Sequence, residues 1–327
     1  MDYGSLVRDA WGLAWRHRFL WVLGLFTGTG VGSCGFGGGN TFRFPSGGQS
    51  ANPPSPGATP AADAERAGAA IVQWIAAHPL LIVAAVVVFL AVVLMFLIIS
   101  LIAQGGMTEA TVGLSEGRAV SAGEAWRAGL RFFWRFFGLD LLLIGAFVVV
   151  AAIVAALVVA ALAAGVAGQP GARTAVIILA VLLGLALLVV AIPTFIAISV
   201  IVAFAKRSIV VDDVGPVAGL GAGWRLVRAN VGASLLLWLI NLGLGIAAGI
   251  ALLFGLVVAV LGLGIVGVAF WALFGFTAPT VAYIALALVA LIAAIWLLQG
   301  FVNAFLWSYW SLAFLRLRGV AAPVAFS

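Results

Sequence analysis

SAGEAWRAGLRFFWRFFGLD, residues 121–140, is the stretch whose reading decides the fold. Glu124, Arg127, Arg131 and Arg135 recur at steps of three and four, so on a helix they share one polar stripe. Trp126, Leu130, Phe133 and Phe137 fall on the opposite, apolar face. Ser121 and Glu124 form an S-x-x-E capping box, which fixes where the helix begins. Uncharged runs of about a membrane's width flank the stretch, and this excludes a solvated helix of a soluble domain. The spacing predicts an amphipathic helix on a membrane surface that feeds directly into a span.

Composition points the same way. Of 327 residues, 65% are hydrophobic and 8% charged, with a mean hydropathy of +1.28; a soluble domain carries about 25% charged residues. The net charge of +6 comes from 16 Lys/Arg against 10 Asp/Glu. These basic residues flank apolar runs instead of forming a basic domain, so anionic lipid headgroups, not nucleic acid, are the expected counter-charge. A single Cys excludes an intramolecular disulfide, and two His cannot build a histidine-rich metal site. Among the basic residues only Lys206 is not Arg, a usage typical of a GC-rich bacterial genome.

Outward from the central stretch, the chain repeats the pattern. Residues 2–18 place Ser5, Arg8, Asp9, Gly12 and Arg16 on one face and Val7, Trp11 and Ala14 on the other. An apolar run starts at Phe19, with Gly24, Gly28 and Gly32 four apart as a surface for close helix packing. Val31 to Cys34 loosely resembles a lipobox, but the preceding segment is long, amphipathic and acidic at Asp2 and Asp9, unlike a signal peptide. Cys34 is therefore expected as an unmodified thiol. Residues 36–60 read as a flexible outer loop and 61–77 as a short helix ended by His78-Pro79. His78 has no neighbouring ligand and is not expected to bind metal.

Pro79 to Ala103 is a charge-free span, which Gln104-Gly105-Gly106 is expected to break before a short polar helix over 108–116. Leu141 to Ala167 is the next span, GQPG at 168–171 its turn, and Pro193 a kink in the long uncharged run that ends at Lys206. Lys206 and Arg207 are expected in a loop with Asp212-Asp213, a solvated turn before the helix start Gly215-Pro216. Ala229 to Leu315 holds no charge. Two spans near 233–258 and 281–313 fit it best, with 259–280 as an outer turn or re-entrant piece. Gly245 and Gly249 read as packing positions.

Six spans with both termini inside place 13 of 16 basic residues in the cytoplasm and leave Arg43, Arg66 and Arg173 outside. The expectation is an all-α integral protein of the cell (inner) membrane. Its about six transmembrane helices form three pseudo-repeats, near 1–104, 105–205 and 206–315, within one polytopic domain over 1–327. Each repeat is a cytoplasmic amphipathic helix followed by a transmembrane hairpin. A small residue, Trp and Arg recur at Ala14-Trp15-Arg16, Ala125-Trp126-Arg127 and Gly223-Trp224-Arg225, followed by Arg18, Arg131 and Arg135, and Arg228. Arg18 apart, these Trp and Arg residues are the predicted membrane-interface set.

EGRAVSAGEAWRAGLRFFWRFFG and IVVDDVGPVAGLGAGWRLVRANVG resemble uncharacterised prokaryotic multi-pass families, including the membrane domain found fused to glycerophosphodiester phosphodiesterases. The resemblance covers most of residues 80–315 and implies a six-helix membrane module without an assigned catalytic role. No hydrolase domain is present, so the fused enzyme's activity is not implied.

No H-E-x-x-H, G-x-S-x-G, Walker lysine loop or DxD cluster occurs, and no cofactor is expected. Asp140 sits at a span's entrance, within reach of water or Arg135. Asn241, Gln299 and Asn303 suit interhelical hydrogen bonds. The expected function is a non-enzymatic membrane module that binds lipid or a membrane-protein partner through its amphipathic helices. A transporter or permease for a small or lipid-like substrate is the alternative. Against it stands the expectation that no charge lies deep.

Overall fold

The computed structural model describes residues 2–28, 77–167 and 170–319. Gly32, Cys34, the loop 36–60, the outer helix up to residue 76 and the first half of the GQPG turn lie outside the described residues. Within them the chain is helical: α1 (Tyr3–Arg16), α2 (Phe19–Thr27), α3 (Pro79–Ser115), α4 (Ala122–Ala167), α5 (Pro170–Val211), α6 (Pro216–Ala229), α7 (Val231–Phe274) and α8 (Ala278–Leu317). Five of these, α3, α4, α5, α7 and α8, are long and apolar enough to cross a membrane, as in a membrane protein. Their apolar side chains face outward, Phe147, Phe254 and Leu286 among them. At ~1.5 Å per residue the 44 residues of α7 extend roughly 66 Å, about twice the ~30 Å hydrocarbon layer. The first expected span is described only as the nine residues of α2.

Contacts divide the chain into two units, Met1–Gly39 with Ile99–Ser327, and Asn40–Ile98. Of the second, the described part is the beginning of α3, whose Leu80 and Phe89 are exposed. The first contains the core. Leu6, Ala10 and Leu13 of α1, Leu20 and Leu23 of α2, Phe204 of α5 and Ala304, Tyr309 and Leu312 of α8 are buried together.

Three expectations are corrected. The sequence Gln104-Gly105-Gly106 does not break a helix: α3 runs through it to Ser115. Its glycines instead let α4 approach backbone to backbone. A Cβ on Gly106 would lie 2.4 Å from the Ala125 carbonyl oxygen, and one on Gly129 would lie 2.1 Å from that of Ile102. The segment 259–280 is not an outer turn or re-entrant piece, because α7 continues to Phe274 and only Gly275 to Thr277 separate it from α8. The uncharged apolar residues 259–274 simply prolong the helix. Gly275 ends it at φ 66° with its N–H donating to the Trp271 carbonyl, a left-handed residue suited to glycine. Pro279 then falls in the first turn of α8, where its missing N–H costs nothing. Third, Lys206 and Arg207 are not in a loop; they lie inside α5 and are buried.

The capping box forms as read: the Ser121 N–H donates to Glu124 Oε2 at 2.8 Å and the Glu124 N–H to Ser121 Oγ at 3.3 Å. The helix it starts continues without interruption to Ala167, through the span. Its packed face is one residue out of register with the predicted apolar stripe. Ala125, Phe132, Phe136 and Leu139 are buried, whereas Trp126 and Leu130 are exposed. The same shift occurs in α1, where Leu6, Ala10 and Leu13 pack inward and Trp11 is exposed.

Candidate functional site

The charged helix ends are tied together by ion pairs between elements distant in sequence. Arg316, at the end of α8, donates to Asp9 and, at 2.8 Å, to Ser5 Oγ, joining α8 to α1. Arg318 pairs with Asp212 at 2.7 Å and Arg135 with Asp213 at 2.6 Å. Asp212-Asp213 forms the exposed turn expected before Gly215-Pro216, and its two ion pairs also tie α4 and the end of α8 to the end of α5.

Deeper in, three helices bring polar groups together. Lys206 Nζ lies 2.6 Å from Gln104 Oε1 and 3.0 Å from Asp140 Oδ1, with both charged side chains almost wholly buried. Gln104 turns its Nε2 to Ser100 Oγ at 3.2 Å, which leaves its oxygen for the ammonium. Asp140 thus pairs with Lys206 and not with Arg135, and charge does lie in the interior. Arg207, beside it, lies 4.6 Å from the Trp307 ring centroid. Its Nη1 donates to the Ala203 carbonyl at 2.7 Å and its Nη2 to that of Trp307 at 3.3 Å. The Trp307 indole N–H donates to Thr108 Oγ1 at 3.0 Å, and Thr108 donates to the Gln104 carbonyl at 2.9 Å. One network therefore links α3, α4, α5 and α8.

Next to it is a cavity of about 110 Å³, bordered by the end of α2 and by α5, α7 and α8. Its polar lining includes Lys206, Arg207, Asn241 and Asn303. Asn241 Oδ1 accepts from Trp310 Nε1 at 3.0 Å, and Asn303 Nδ2 donates to the Gly24 carbonyl at 2.9 Å. Both are interhelical bonds, as read; Gln299 makes none in the structure. Among the described residues no cluster of three His, Cys, Asp or Glu could hold a metal.

The predicted interface residues are not part of this interior site. Trp15, Trp126 and Trp224 are exposed, as are Arg16, Arg127, Arg225 and Arg228. Arg131 is also exposed and sits over the Phe132 ring at 4.4 Å. Each of the three Trp follows a buried small residue, Ala14, Ala125 or Gly223. Of the packing positions, Gly24 meets the Gly300 carbonyl, with a Cβ 2.1 Å away, and Gly28 meets Asn303. Gly249 has nothing within 4 Å of a Cβ, so it faces open space, and Gly245 is half-buried. The helix α5 runs through Pro193 without ending.

Sequence reasoning missed Gln104, Lys206 and Arg207 as interior groups. A signal existed: no Gly, Pro or Asp follows the apolar run before Lys206 until Asp212, so the helix had no reason to stop at Lys206.

No curated protein and no solved structure matches the chain. A family model matches residues 14–320, nearly the whole length, and it brings no link to glycerophosphodiester phosphodiesterases. The chain belongs to a family of unknown function, DUF7544.

Proposed function

We propose that this is a non-catalytic multi-pass module of the inner membrane, with both termini cytoplasmic, that binds anionic lipid at its charged end. One observation carries the reading. Three times, a buried small residue is followed directly by an exposed Trp and an exposed Arg: at Trp15-Arg16, Trp126-Arg127 and Trp224-Arg225. Trp suits headgroup depth and Arg an anionic leaflet. The small residue supports a pseudo-repeat, because it allows close contact with a neighbouring helix. Gly106 approaches the Ala125 carbonyl, and a Cβ on Gly223 would lie 2.5 Å from that of Ile201.

Native mass spectrometry of the full chain, released from nanodiscs of mixed phosphatidylglycerol and phosphatidylcholine, tests this. Preferential retention of phosphatidylglycerol is expected, and it should fall when Arg127, Arg131, Arg225 and Arg228 are replaced by Gln. Each surface arginine contributes about 1 kcal/mol at an anionic surface. Equal retention of both lipids by the native chain would refute the reading.

A permease is the second reading, favoured by the buried Lys206–Asp140 pair beside a cavity. Reconstituted protein should then speed the transbilayer movement of a fluorescent phospholipid, and Lys206→Met should abolish the acceleration. Movement at the rate of empty liposomes would exclude lipid transport.

A further inference from the structure

The cavity beside Arg207 carries a charge that the described residues do not balance. Lys206 is matched by Asp140, but Arg207, 2% exposed, has no acidic partner. Both Nη atoms donate to main-chain carbonyls, and Nε–H has no hydrogen-bond partner. The described acids at the neighbouring helix ends are paired elsewhere: Asp9 with Arg316, Asp212 with Arg318, Asp213 with Arg135 and Glu109 with Arg118. A buried cation without a counter-charge is strongly unfavourable, as is a buried donor left unbonded.

The cavity's lining supplies donors and no carboxylate. The Lys206 ammonium has three N–H groups, of which Gln104 and Asp140 take two. Trp310 Nε1 can only donate, so it fixes the Asn241 amide with its oxygen toward the indole. The Asn241 NH2 group therefore turns elsewhere, with no partner among the described residues. A volume of about 110 Å³ is several times what one water requires.

We propose that this cavity binds an oxyanion of the phosphate class, held by Arg207, Lys206 and Asn241. A guanidinium and a neighbouring ammonium suit such a group, and its charge supplies what Arg207 lacks. The lining residues Thr27, Ala203, Trp238 and Trp307 lie seven to ten residues in from the helix ends Phe19, Val211, Val231 and Leu317. That is roughly 10–15 Å at the helical rise. A free anion reaches this depth through the charged end, and a phospholipid headgroup reaches it by entering between helices. The site is separate from the surface reading above, since none of the exposed Trp–Arg pairs borders the cavity.

The test uses the full chain in neutral detergent, with thermal unfolding followed as sodium phosphate replaces sodium chloride at constant ionic strength. A free-anion site raises the unfolding midpoint by several degrees in a saturable way, and Arg207→Gln removes the rise. A headgroup site leaves the midpoint indifferent to phosphate. Native mass spectrometry then shows one phosphatidylglycerol or phosphatidate retained per chain and lost in Arg207→Gln. Asn241→Asp keeps the acceptor for Trp310 while placing a fixed negative charge in the lining. It should abolish either response and unfold at a higher temperature than the native chain in phosphate-free buffer, so the proposal stays testable if Arg207→Gln fails to fold. No phosphate effect and no retained lipid in the native chain would overturn the proposal. So would responses that survive Asn241→Asp unchanged.

Discussion

Lys206 Nζ and Asp140 Oδ1 lie 3.0 Å apart, on two helices and 66 residues apart in sequence, with side-chain exposures of 3% and 8%. Phe136, one turn before Asp140, places its ring 5.8 Å from the same ammonium. The pair is thus enclosed by protein, and Gln104 supplies the additional acceptor that a desolvated ammonium needs. This arrangement fixes the register of α4 against α5, since sliding either helix by one residue would leave two charges buried alone.

Removing one partner should therefore harm more than removing both. Asp140→Asn is expected to destabilise the protein by about 3–5 kcal/mol, the cost of an uncompensated buried cation. Asp140→Leu combined with Lys206→Met should recover much of that loss. Thermal unfolding of the three variants in detergent checks it, and a double variant worse than either single one would show that the pair does not act as a unit.

Orientation is checked at the turn between α7 and α8. In a Cys34→Ser background, Thr277→Cys should react with an impermeant maleimide in intact cells. Gly221→Cys, in α6, should react only after permeabilisation. The opposite pattern would invert the topology and place the charged ends outside.

Much of the fold was legible because uncharged length is a strong signal: 87 residues from Ala229 to Leu315 had to cross the membrane. Where those helices turn was less legible, since no charged residue marks the turn and Gly275 differs from its neighbouring glycines only in its conformation. In α1 and α4 the amphipathic period was read correctly, but the packed face lies one residue earlier than expected. Ala14 of α1 and Phe133 and Phe137 of α4 still pack inward, while Trp11 and Trp126 do not. Trp11 and Trp126 look like core residues, yet both are exposed while the small residue before each, Ala10 or Ala125, is buried. The candidate site was hidden for a related reason. A charge pair such as Lys206-Arg207 reads as the end of a span, and only the long-range contacts to Gln104 and Asp140 show it turned inward.

His17, where α1 gives way to α2, carries a pH dependence. Its pKa is held below the usual histidine value of 6.5, first by partial burial and then by the neighbouring Arg16 charge. The unfolded chain therefore takes up a proton more readily than the folded one. Stability from this group is fully present above about pH 6.5 and declines as the pH falls from there toward the depressed folded pKa. His17→Gln should flatten that decline without changing stability at pH 8. A midpoint that drops equally between pH 7 and pH 5 in both proteins would assign the acid sensitivity to other groups.

The glycines make the sharpest test of the packing, because chemically equal substitutions should have opposite effects. A Cβ on Gly129 would stand 2.1 Å from the Ile102 carbonyl oxygen, and one on Gly24 would stand 2.1 Å from that of Gly300. Neither neighbour is a flexible side chain, so α3 and α4, or α2 and α8, would have to separate. Gly129→Ala and Gly24→Ala are each expected to cost about 1–3 kcal/mol, the usual penalty of overpacking. Gly249 and Gly145 also lie inside long helices, but nothing stands within 4 Å of their Cβ positions. There the only effect of alanine is its better helix propensity, worth up to about 1 kcal/mol. Gly249→Ala and Gly145→Ala should thus unfold at or slightly above the native temperature. If all four variants lost stability alike, the close approach of α3 to α4 and of α2 to α8 would be wrong, and the open surroundings of Gly249 with it.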